Sequence, residues 1–253
     1  MQTPPLADAS ICYLLADVHL QPDSRHPINQ HFLQFLAKDA PKAQQLYILG
    51  DLFETWVGDD IGLTSYAEEI QALRSLSDQG TALYIGYGNR DFLMREKFYQ
   101  ACGAQALADI APTQIQGQSY LLLHGDSLCT DDQAYQNMRR WFHKPWVQWL
   151  FLHLPKSTRL KIAQKLRQAS GQQSQTKNQQ IMDVAPQAVN ALFDAFPHIN
   201  HMIHGHTHRP AHHQFTLHQQ TKHRWVLGDW RPEARILKIE NGQPGLVDFP
   251  TQP

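Results

Sequence analysis

The sequence has few of the features that mark a secreted or membrane-spanning protein. Its 253 residues contain only three cysteines, Cys12, Cys102 and Cys129, and no two of them have C-x-x-C spacing. An odd number of cysteines at such spacing argues against both a disulfide framework and a thiolate metal site. The first ten residues lack the basic start and apolar core of a signal peptide. No apolar run reaches the roughly 18 residues that span a bilayer. We therefore expect a cytoplasmic protein with no membrane-spanning segment.

An excess of charge of either sign is also lacking. The formal net charge is −1 at pH 7, and the isoelectric point is about 6.9. A chain without a basic field is not expected to bind nucleic acid. The length and the hydrophobic content of 42% suit one large domain that can carry an insertion. We therefore predict a single domain over residues 1–253 and expect a monomer.

Short apolar runs that end in potential metal ligands recur along the chain. Such runs are typical of buried strands, and open α/β sheets bind ligands at the carboxyl ends of their strands. The runs are residues 11–16 before Asp17 and His19, 46–49 before Asp51, 82–85 before Asn89, 120–123 before His124, and 201–203 before His204 and His206. Because all five runs have this ending, we expect their carboxyl ends to meet at one site.

Helical and late strand patterns complete the predicted fold. Apolar spacing predicts a helix over residues 27–38, which makes a βαβ unit with the first two strands. Two further helices are predicted over residues 66–76 and 92–100. Residues 221–228, 235–240 and 245–249 are predicted to be strands of a second sheet packed on the first.

The polar residues at the strand ends form a candidate metal-ligand set. It comprises Asp17, His19, Asp51, Asn89, His124, His204 and His206. Mixed carboxylate, amide and imidazole donors suit manganese, iron or zinc better than calcium or magnesium. Seven ligands are too many for one small ion and suit two ions that share a bridging carboxylate. The other histidines nearby, His208, His212, His213, His218 and His223, are interpreted as core or surface residues.

These motifs resemble those of the calcineurin-like metallophosphoesterase family. The matching blocks are Asp17-x-His19, Gly50-Asp51, Gly88-Asn89-Arg90-Asp91, His124-Gly125-Asp126 and His204-Gly205-His206. The resemblance implies an α/β fold, an αββα sandwich of two mixed sheets flanked by helices, with a helical cap insertion.

The same resemblance implies two groups of ligands for two Mn²⁺ ions. Asp17, His19, Asp51 and His206 would hold one ion, and Asp51, Asn89, His124 and His204 the other, with Asp51 as the bridge. The ions would activate a water molecule for attack on phosphorus. Arg90 would stabilise the charge that develops on the phosphoryl oxygens, so Arg90 and Asp51 are the expected catalytic residues.

A long segment between His124 and His204 predicts an inserted helical lid over residues 134–185. Residues 133–182 contain no Asp or Glu but include nine Lys and Arg residues. Aromatic and apolar residues fill positions 141–154. Cations beside an aromatic helix are typical of proteins that bind an anionic membrane surface or an amphiphile with a phosphate head. Alternatively, the aromatic residues are the buried face of a helical hairpin, and both interpretations can hold together.

Longer segments resemble the branch of the family that acts on UDP-2,3-diacylglucosamine. The segments are residues 54–60, 88–93, 124–132, 181–184 and 228–230. This resemblance implies a Mn²⁺-dependent pyrophosphatase of lipid A biosynthesis that releases UMP and 2,3-diacylglucosamine 1-phosphate. It also implies a peripheral protein on the cytoplasmic face of the inner membrane.

The substrate contacts implied by this resemblance lie on the catalytic loops and on the insertion. They are Asn89, Arg90, Asp132, Arg167, Ser170, Ser174, Lys177 and His204. Ser174 departs from the family pattern, which has asparagine there, and a hydroxyl lacks the amide pair. Residues 168–180 are rich in Gln and Ser and are predicted to be a flexible linker or lid hinge.

Two other functions are compatible with parts of the pattern. A nucleotide phosphodiesterase or phosphoprotein phosphatase of the same fold would need the metal ligands, but neither substrate has acyl chains for a basic aromatic insertion. A scaffold that binds a partner without metal could lose ligands, whereas this chain keeps a candidate at every position.

Overall fold

The computed structural model describes residues 10–176, 183–231 and 234–249, with the side chains of residues 169–176 left out. The strands are β1 (Ile11–Leu15), β2 (Gln45–Leu49), β3 (Ala82–Gly86), β4 (Gln105–Ala106), β5 (Ile110–Ile115), β6 (Gln118–Leu123), β7 (His201–His204), β8 (Ala211–Leu217), β9 (Gln220–Val226), β10 (Ala234–Glu240) and β11 (Gln243–Phe249). The α-helices are α1 (Pro27–Lys38), α2 (Asp59–Ser65), α3 (Ala67–Asp78), α4 (Glu96–Cys102), α5 (Gln133–Phe142), α6 (Pro145–Leu152), α7 (Lys156–Thr176) and α8 (Pro186–Ala195).

The strands form two mixed sheets. The first has the order β11-β10-β1-β2-β3-β4, and the second has the order β5-β6-β7-β9-β8. Strands β1 to β4 are parallel neighbours, and helix α1 connects β1 to β2, which confirms the predicted βαβ unit. In the second sheet β6, β7 and β9 are parallel. The predicted α/β sandwich is confirmed, since helices cover the outer faces of both sheets.

Three apolar layers hold the sandwich together. Helices α1, α3 and α4 pack on the outer face of the first sheet, through residues such as Phe32, Leu73 and Phe98. Leu14 of β1 faces the second sheet, whereas its neighbour Leu15 faces these helices. A strand that is covered on both faces needs apolar residues at consecutive positions. This double cover is why the central strands have uninterrupted apolar runs.

The late strands divide between the two sheets, contrary to the sequence prediction that placed all three in the second. Strand β9 lies in the second sheet, but β10 pairs antiparallel with β1 and β11 pairs with β10. Strand β10 buries Ile236, Leu237 and Ile239, which project to both of its faces. A strand with two apolar faces needs cover on both, and the position beside β1 provides it.

Helices α5 to α7 lie between the strand β6 and the strand β7, where the sequence predicted an insertion. Helix α7 continues to Thr176, so residues 168–176 are helical and not the predicted linker, while residues 177–182 lie outside the described part. Within the described ranges, no helix is both long enough and apolar enough to cross a membrane.

Candidate metal centre

The backbone turns sharply where β1 and β2 end. Asp17, His19 and Asp51 have positive φ angles of 53°, 56° and 50°. The strand pairing nevertheless continues, because the Asp17 amide donates to Gly50 O at 3.1 Å and the His19 amide donates to Asp51 O at 3.0 Å. Positive φ is uncommon outside glycine, and such strain collects at functional sites. The turns bring the three side chains to one edge of the sandwich.

Two glycines allow neighbouring loops to approach these carboxylates. A Cβ atom on Gly88 would lie 2.2 Å from Asp51 Oδ1, and one on Gly205 would lie 2.3 Å from Asp17 Oδ2. No side chain fits at such distances, so glycine is required at both positions.

Each carboxylate uses one oxygen for the protein backbone and turns the other toward the histidines. Asp51 Oδ1 accepts the Arg90 amide at 2.8 Å, and Asp17 Oδ2 accepts the His206 amide at 2.7 Å. The remaining oxygens, Asp51 Oδ2 and Asp17 Oδ1, point into the space between the imidazole rings. These backbone contacts fix the carboxylates without consuming their second oxygen.

A first ligand group consists of Asp17, His19 and His208, whose ligand atoms lie within 4.8 Å of one another. His208 Nε2 lies 3.3 Å from Asp17 Oδ1, and His19 Nε2 lies 4.0 Å from the same oxygen. His19 Nε2 is also 3.9 Å from Asp51 Oδ2. Both His19 Nε2 and Asp17 Oδ1 are buried without a hydrogen bond. The two separations from His19 Nε2 are too long for a hydrogen bond, but two ligands of one ion can lie up to about 4.2 Å apart.

A second group surrounds His124. Its Nε2 lies 3.7 Å from Asp51 Oδ2, 3.2 Å from Asn89 Oδ1 and 3.2 Å from His206 Nδ1. Its other nitrogen, Nδ1, lies 3.1 Å from the carbonyl oxygen of Leu49 and can donate to it. A backbone acceptor on one ring nitrogen leaves the other free as a ligand. Asp51 Oδ2 therefore lies between the two groups, as expected of a bridging ligand.

His204, which the sequence predicts to be a ligand, lies outside both of these groups in the structure. Its Nδ1 lies 2.8 Å from Gly205 O, and its Nε2 lies 3.0 Å from the guanidinium of Arg224. Burial and the charge of Arg224 lower the pKa of His204 to about 3, so the ring is a neutral acceptor for that arginine. The structure instead places His206 beside His124, and it places His208 beside Asp17 where His206 was predicted.

The electrostatics around the first group favour a cation. Burial opposes ionisation of Asp17, but neighbouring His208, His124 and His19 hold the pKa of its carboxyl well below the usual range. Burial also lowers the pKa of His208, but the carboxylates of Asp17 and Asp229 raise it to about 10. Both shifts arise because carboxylates and imidazoles at this edge stabilise the charged form of each other. The residues present thus fit divalent ions in donor type, spacing and charge.

Asp91 holds two of the ligand-bearing loops together. Its carboxylate accepts the amide of Gly88 at 2.7 Å and the amide of Leu52 at 2.8 Å. Burial and the nearby charge of Asp51 raise the pKa of Asp91. The motif that contains Asn89 and Arg90 therefore ends in a structural carboxylate that fixes the loop of Asp51 against that of Asn89.

Glu54 lies beside the metal-ligand candidates and was not predicted from the sequence. Its Oε2 lies 3.1 Å from His19 Nδ1, and its Oε1 lies 2.9 Å from Arg167 and 3.6 Å from Arg90. Burial raises the pKa of Glu54, but these three partners lower it by more. The sequence feature that could have identified Glu54 as a site residue is its position three residues after Asp51.

The predicted substrate contacts have different positions. Arg90 and Arg167 lie beside the ligand groups through Glu54, whereas Asp132 caps α5 by accepting the Tyr135 amide at 3.1 Å. The side chains of Ser170 and Ser174, and the whole of Lys177, lie outside the described residues.

Comparison with known proteins identifies the family. The family model described as "Calcineurin-like phosphoesterase" matches residues 12–210, which include every ligand candidate and the helical insertion. The chain belongs to this family. The resemblance seen in the motifs is therefore confirmed, and the family implies divalent metal ions. The described residues offer two candidate clusters for them, Asp17 with His19 and His208, and Asp17 with Asp51 and His124.

Curated relatives are similar over nearly the whole chain. A protein of Tolumonas auensis is 47% identical over 93% of this chain and 96% of its own length. Proteins of Serratia proteamaculans and Pseudomonas entomophila are 46% and 44% identical, each over 93% of this chain and 98% of their own length. All three relatives are named UDP-2,3-diacylglucosamine hydrolase.

Proposed function

We propose that this phosphoesterase hydrolyses the pyrophosphate bond of UDP-2,3-diacylglucosamine, giving UMP and 2,3-diacylglucosamine 1-phosphate, lipid X, in lipid A biosynthesis. The observation that carries the proposal is the contact of the basic aromatic insertion with the metal centre, through Arg167 and Glu54 at 2.9 Å. This contact brings the basic aromatic insertion, which suits an acylated anionic substrate, next to the candidate metal ligands, which suit phosphoryl transfer. The names of the curated relatives support the same substrate.

The ligand groups suit two ions, and Mn²⁺ matches their mixed oxygen and nitrogen donors. The set predicted from the sequence, with His206 beside Asp17, His19 and Asp51 and with His204 beside Asp51, Asn89 and His124, stays one proposal. The spacing in this structure supports a second, in which Asp17, His19, Asp51 and His208 hold one ion and Asp51, Asn89, His124 and His206 hold the other. The bound ions would lower the pKa of a water molecule and neutralise charge on the phosphoryl oxygens. In the proposed reaction, water oxygen forms a bond to the α phosphorus. The bond from that phosphorus to the bridging oxygen then breaks, and sugar 1-phosphate leaves.

Arg90 supplies the charge that the protein itself brings to this step. Its amide is fixed by Asp51, while its guanidinium is partly exposed at the mouth of the site. The Arg90 Nε is buried and has no hydrogen-bond partner in the described part of the chain. A pre-oriented guanidinium with a vacant donor can bind the oxygens on which negative charge develops.

A pocket between the insertion and the main domain suits an apolar part of the substrate. It has a volume of about 320 Å³ and is lined by Arg95, Pro145, Gln148, Trp149 and Leu152. Four of these residues belong to helix α6, and three of the four, Pro145, Trp149 and Leu152, give the pocket an apolar wall. Pockets of this size are typical of sites for small organic groups. We propose that residues 134–185 form a lid over this region.

The exposed aromatic face of the insertion suits a membrane surface. Trp146, Trp149 and Leu150 of α6 are 55%, 61% and 53% exposed. Lys144 lies 4.9 Å from the ring of Trp141, so cations border the aromatic residues. Tryptophan and cations together suit the interface of an anionic bilayer. We propose that the protein is peripheral, on the cytoplasmic face of the inner membrane where such a lipid-linked substrate would be met.

The test is turnover of UDP-2,3-diacylglucosamine by protein that has been stripped of metal with a chelator and then given Mn²⁺. Products are identified by phosphorus NMR, and the reaction is repeated in ¹⁸O-labelled water. We expect UMP only when Mn²⁺ is present, with the label in UMP, because attack is on the α phosphorus. Arg90→Lys should reduce turnover and retain Mn²⁺, since a point charge does not reproduce the planar fork.

Other results would favour a different function. Label in the sugar phosphate would place the attack on the β phosphorus. Mn²⁺-dependent cleavage of bis-p-nitrophenyl phosphate without any UMP would indicate a phosphodiesterase of another specificity. Absence of Mn²⁺ binding would favour a scaffold.

A further inference from the structure

The side chain of Glu54 lies between His19 after β1, Arg90 after β3 and Arg167 of helix α7. The backbone holds it firmly, since the Glu54 amide donates to Leu20 O at 2.9 Å beside the bridge between Leu20 and Phe53. Its side chain is almost fully buried, with 7% exposed. A buried carboxylate is costly unless it is paired. The partners of Glu54 therefore indicate what it does.

One carboxylate oxygen contacts a metal-ligand candidate. Glu54 Oε2 lies 3.1 Å from His19 Nδ1, and the opposite ring nitrogen, Nε2, faces Asp17 and Asp51 at 4.0 and 3.9 Å. A histidine ligand usually donates its second N–H to a carboxylate or a carbonyl, which fixes its tautomer and orientation. His19 Nδ1 is buried and makes no hydrogen bond of regular geometry in the described part of the chain, and Glu54 Oε2 lies 3.1 Å from it. Glu54 is therefore the acceptor within reach of that nitrogen, whereas His124 Nδ1 already contacts Leu49 O at 3.1 Å.

The other oxygen contacts two arginines that come from different parts of the fold. Glu54 Oε1 lies 2.9 Å from Arg167 of helix α7 and 3.6 Å from Arg90 of the loop after β3. Two guanidiniums thus share one oxygen, which leaves positive charge in excess at the mouth of the site. An entering phosphate group carries the charge that would balance it.

We propose that Glu54 is a positioning residue that couples the helical insertion to the metal centre. It orients His19 as a ligand through Nδ1 and holds Arg167 and Arg90 beside the ligand groups until phosphate oxygens of the substrate displace it from the arginines. The displacement by substrate rests on the proposed function. The effect on His19 and its coupling to Arg167 concern the metal centre alone.

Binding of Mn²⁺ to Glu54→Gln tests the first part without substrate. The amide keeps the size of the side chain but cannot accept from His19 and the arginines as strongly. We expect Mn²⁺ affinity, measured by electron paramagnetic resonance of the free ion, to fall by about 10- to 100-fold. The control is Glu69→Gln, the same change at a buried carboxylate that accepts from Asn29 at 2.7 Å. Unchanged affinity in folded Glu54→Gln would overturn the proposal.

The coupling is tested by Arg167→Met in two backgrounds. Arg167 lies on the insertion and contacts Glu54, so its removal should change Mn²⁺ affinity through that carboxylate. We expect the effect of Arg167→Met to differ between wild type and Glu54→Gln by at least about threefold, because interacting residues are not additive. Lys161→Met, an exposed change on the same helix, should have equal effects in both backgrounds. Additive effects of Arg167→Met would reject the coupling.

A second variant covers the case in which Glu54→Gln does not fold. Glu54→Asp keeps the charge but shortens the side chain, so it should fold and bind Mn²⁺ more weakly than wild type. Full wild-type affinity in Glu54→Asp would reject an orienting role that depends on the 3.1 Å contact.

Turnover of UDP-2,3-diacylglucosamine by wild type, measured in parallel, separates this inference from the proposed function. Hydrolysis by wild type with unchanged Mn²⁺ affinity in the Glu54 variants would overturn the positioning role and retain the proposed function. A weakened Mn²⁺ site in those variants without hydrolysis by wild type would overturn the proposed function and retain the role of Glu54 at His19.

Discussion

His208 Nε2 lies 3.3 Å from Asp17 Oδ1, so a residue that follows β7 in one sheet meets a residue that follows β1 in the other. The candidate metal centre is therefore built across the edges of both sheets. Asp229 fixes the far side of the same ring, since its carboxylate lies 3.4 Å from His208 Nδ1. This ring has the environment of a histidine ligand, with a carboxylate behind it and other ligands in front.

His208→Ala and His204→Ala distinguish the two possible ligand sets. We expect His208→Ala to weaken one Mn²⁺ site by more than about 100-fold, since even outer partners of ligands contribute about 10- to 100-fold. His204→Ala should retain both ions, because its ring contacts Gly205 and Arg224 instead. Metal content is measured by inductively coupled plasma mass spectrometry after gel filtration. Loss of metal in His204→Ala alone would restore the assignment predicted from the sequence.

Asp51→Asn should remove both ions together. Its Oδ2 lies 3.9 Å from His19 Nε2 and 3.7 Å from His124 Nε2, so one oxygen serves both groups. An amide is a weaker donor to a cation than a carboxylate, and we expect fewer than one Mn²⁺ per chain and no measurable turnover. Asp109→Asn is a useful control, because that carboxylate pairs with Arg139. Two retained ions in Asp51→Asn would show that it is not a bridge.

The insertion has one exposed and one packed aromatic face, and two substitutions separate their roles. Trp149 is 61% exposed, whereas Phe151 packs against the core of the first sheet. Trp149→Gln should reduce sedimentation with anionic phospholipid vesicles and leave the melting temperature within a few degrees. Phe151→Gln should lower the free energy of unfolding by about 2 to 4 kcal/mol. Equal vesicle binding by Trp149→Gln and wild type would contradict the membrane role.

Arg159 anchors the insertion to the main domain. Its side chain is 3% exposed and donates to Val57 O at 2.6 Å and to both oxygens of Asp60 at 2.8 and 2.5 Å. Arg159→Met leaves a buried carbonyl unsatisfied and should lower the free energy of unfolding by about 1 to 3 kcal/mol. Lys156→Met, at an exposed partner of Asp60, should change it by less than about 0.5 kcal/mol. Denaturant titration measures both.

The ion pair between Arg159 and Asp60 should also make the free energy of unfolding depend on pH in the acid range. The hydrogen bond and charge of Arg159 lower the pKa of Asp60 from its ordinary 3.8. The pair therefore contributes stability above pH 3.8, and the contribution is lost as the pH falls through the lower pKa of the folded state. Wild type should lose more stability than Arg159→Met over this acid range. Parallel pH profiles would mean that Asp60 and Arg159 are not coupled.

The three cysteines should be unreactive in the folded protein. Cys12, Cys102 and Cys129 are all buried. Burial raises the thiol pKa of each, to about 11 for Cys102 and about 12 for Cys129, so little thiolate is present at neutral pH. Ellman's reagent should label no thiol within minutes in native protein and all three in guanidinium. Rapid labelling of native protein would indicate local opening around the modified thiol.

Much of the fold followed from local patterns in the chain. Helix α1 begins and ends at the predicted residues 27 and 38, and the five predicted strands that lead to ligand candidates are all present. Their apolar runs were clear because both faces of the central strands are covered. The sheet that contains β10 and β11 was not predictable in the same way. Pairing with β1 depends on which edge is open after the rest of the chain has folded.

The metal ligands, like the strands, were only partly predictable from local patterns in the sequence. The sequence predicted His204 and His206 as ligands and interpreted His208 as a core or surface residue, because every second residue from 204 to 208 is a histidine and spacing does not separate them. The backbone turns into positive φ at His206 and His208, which directs these rings to the metal centre, while His204 still belongs to β7 and meets Arg224. Spacing does not encode such turns.

The sequence by itself determined the sandwich, the strand ends that carry ligands, and the basic aromatic insertion, because each depends on neighbouring residues in the chain. Only the tertiary structure decided that His208 faces Asp17, that Arg224 donates a hydrogen bond to His204, and that Glu54 lies between His19 and Arg167. These pairs come from distant segments, and which side chains meet depends on backbone turns and sheet packing that no local pattern specifies.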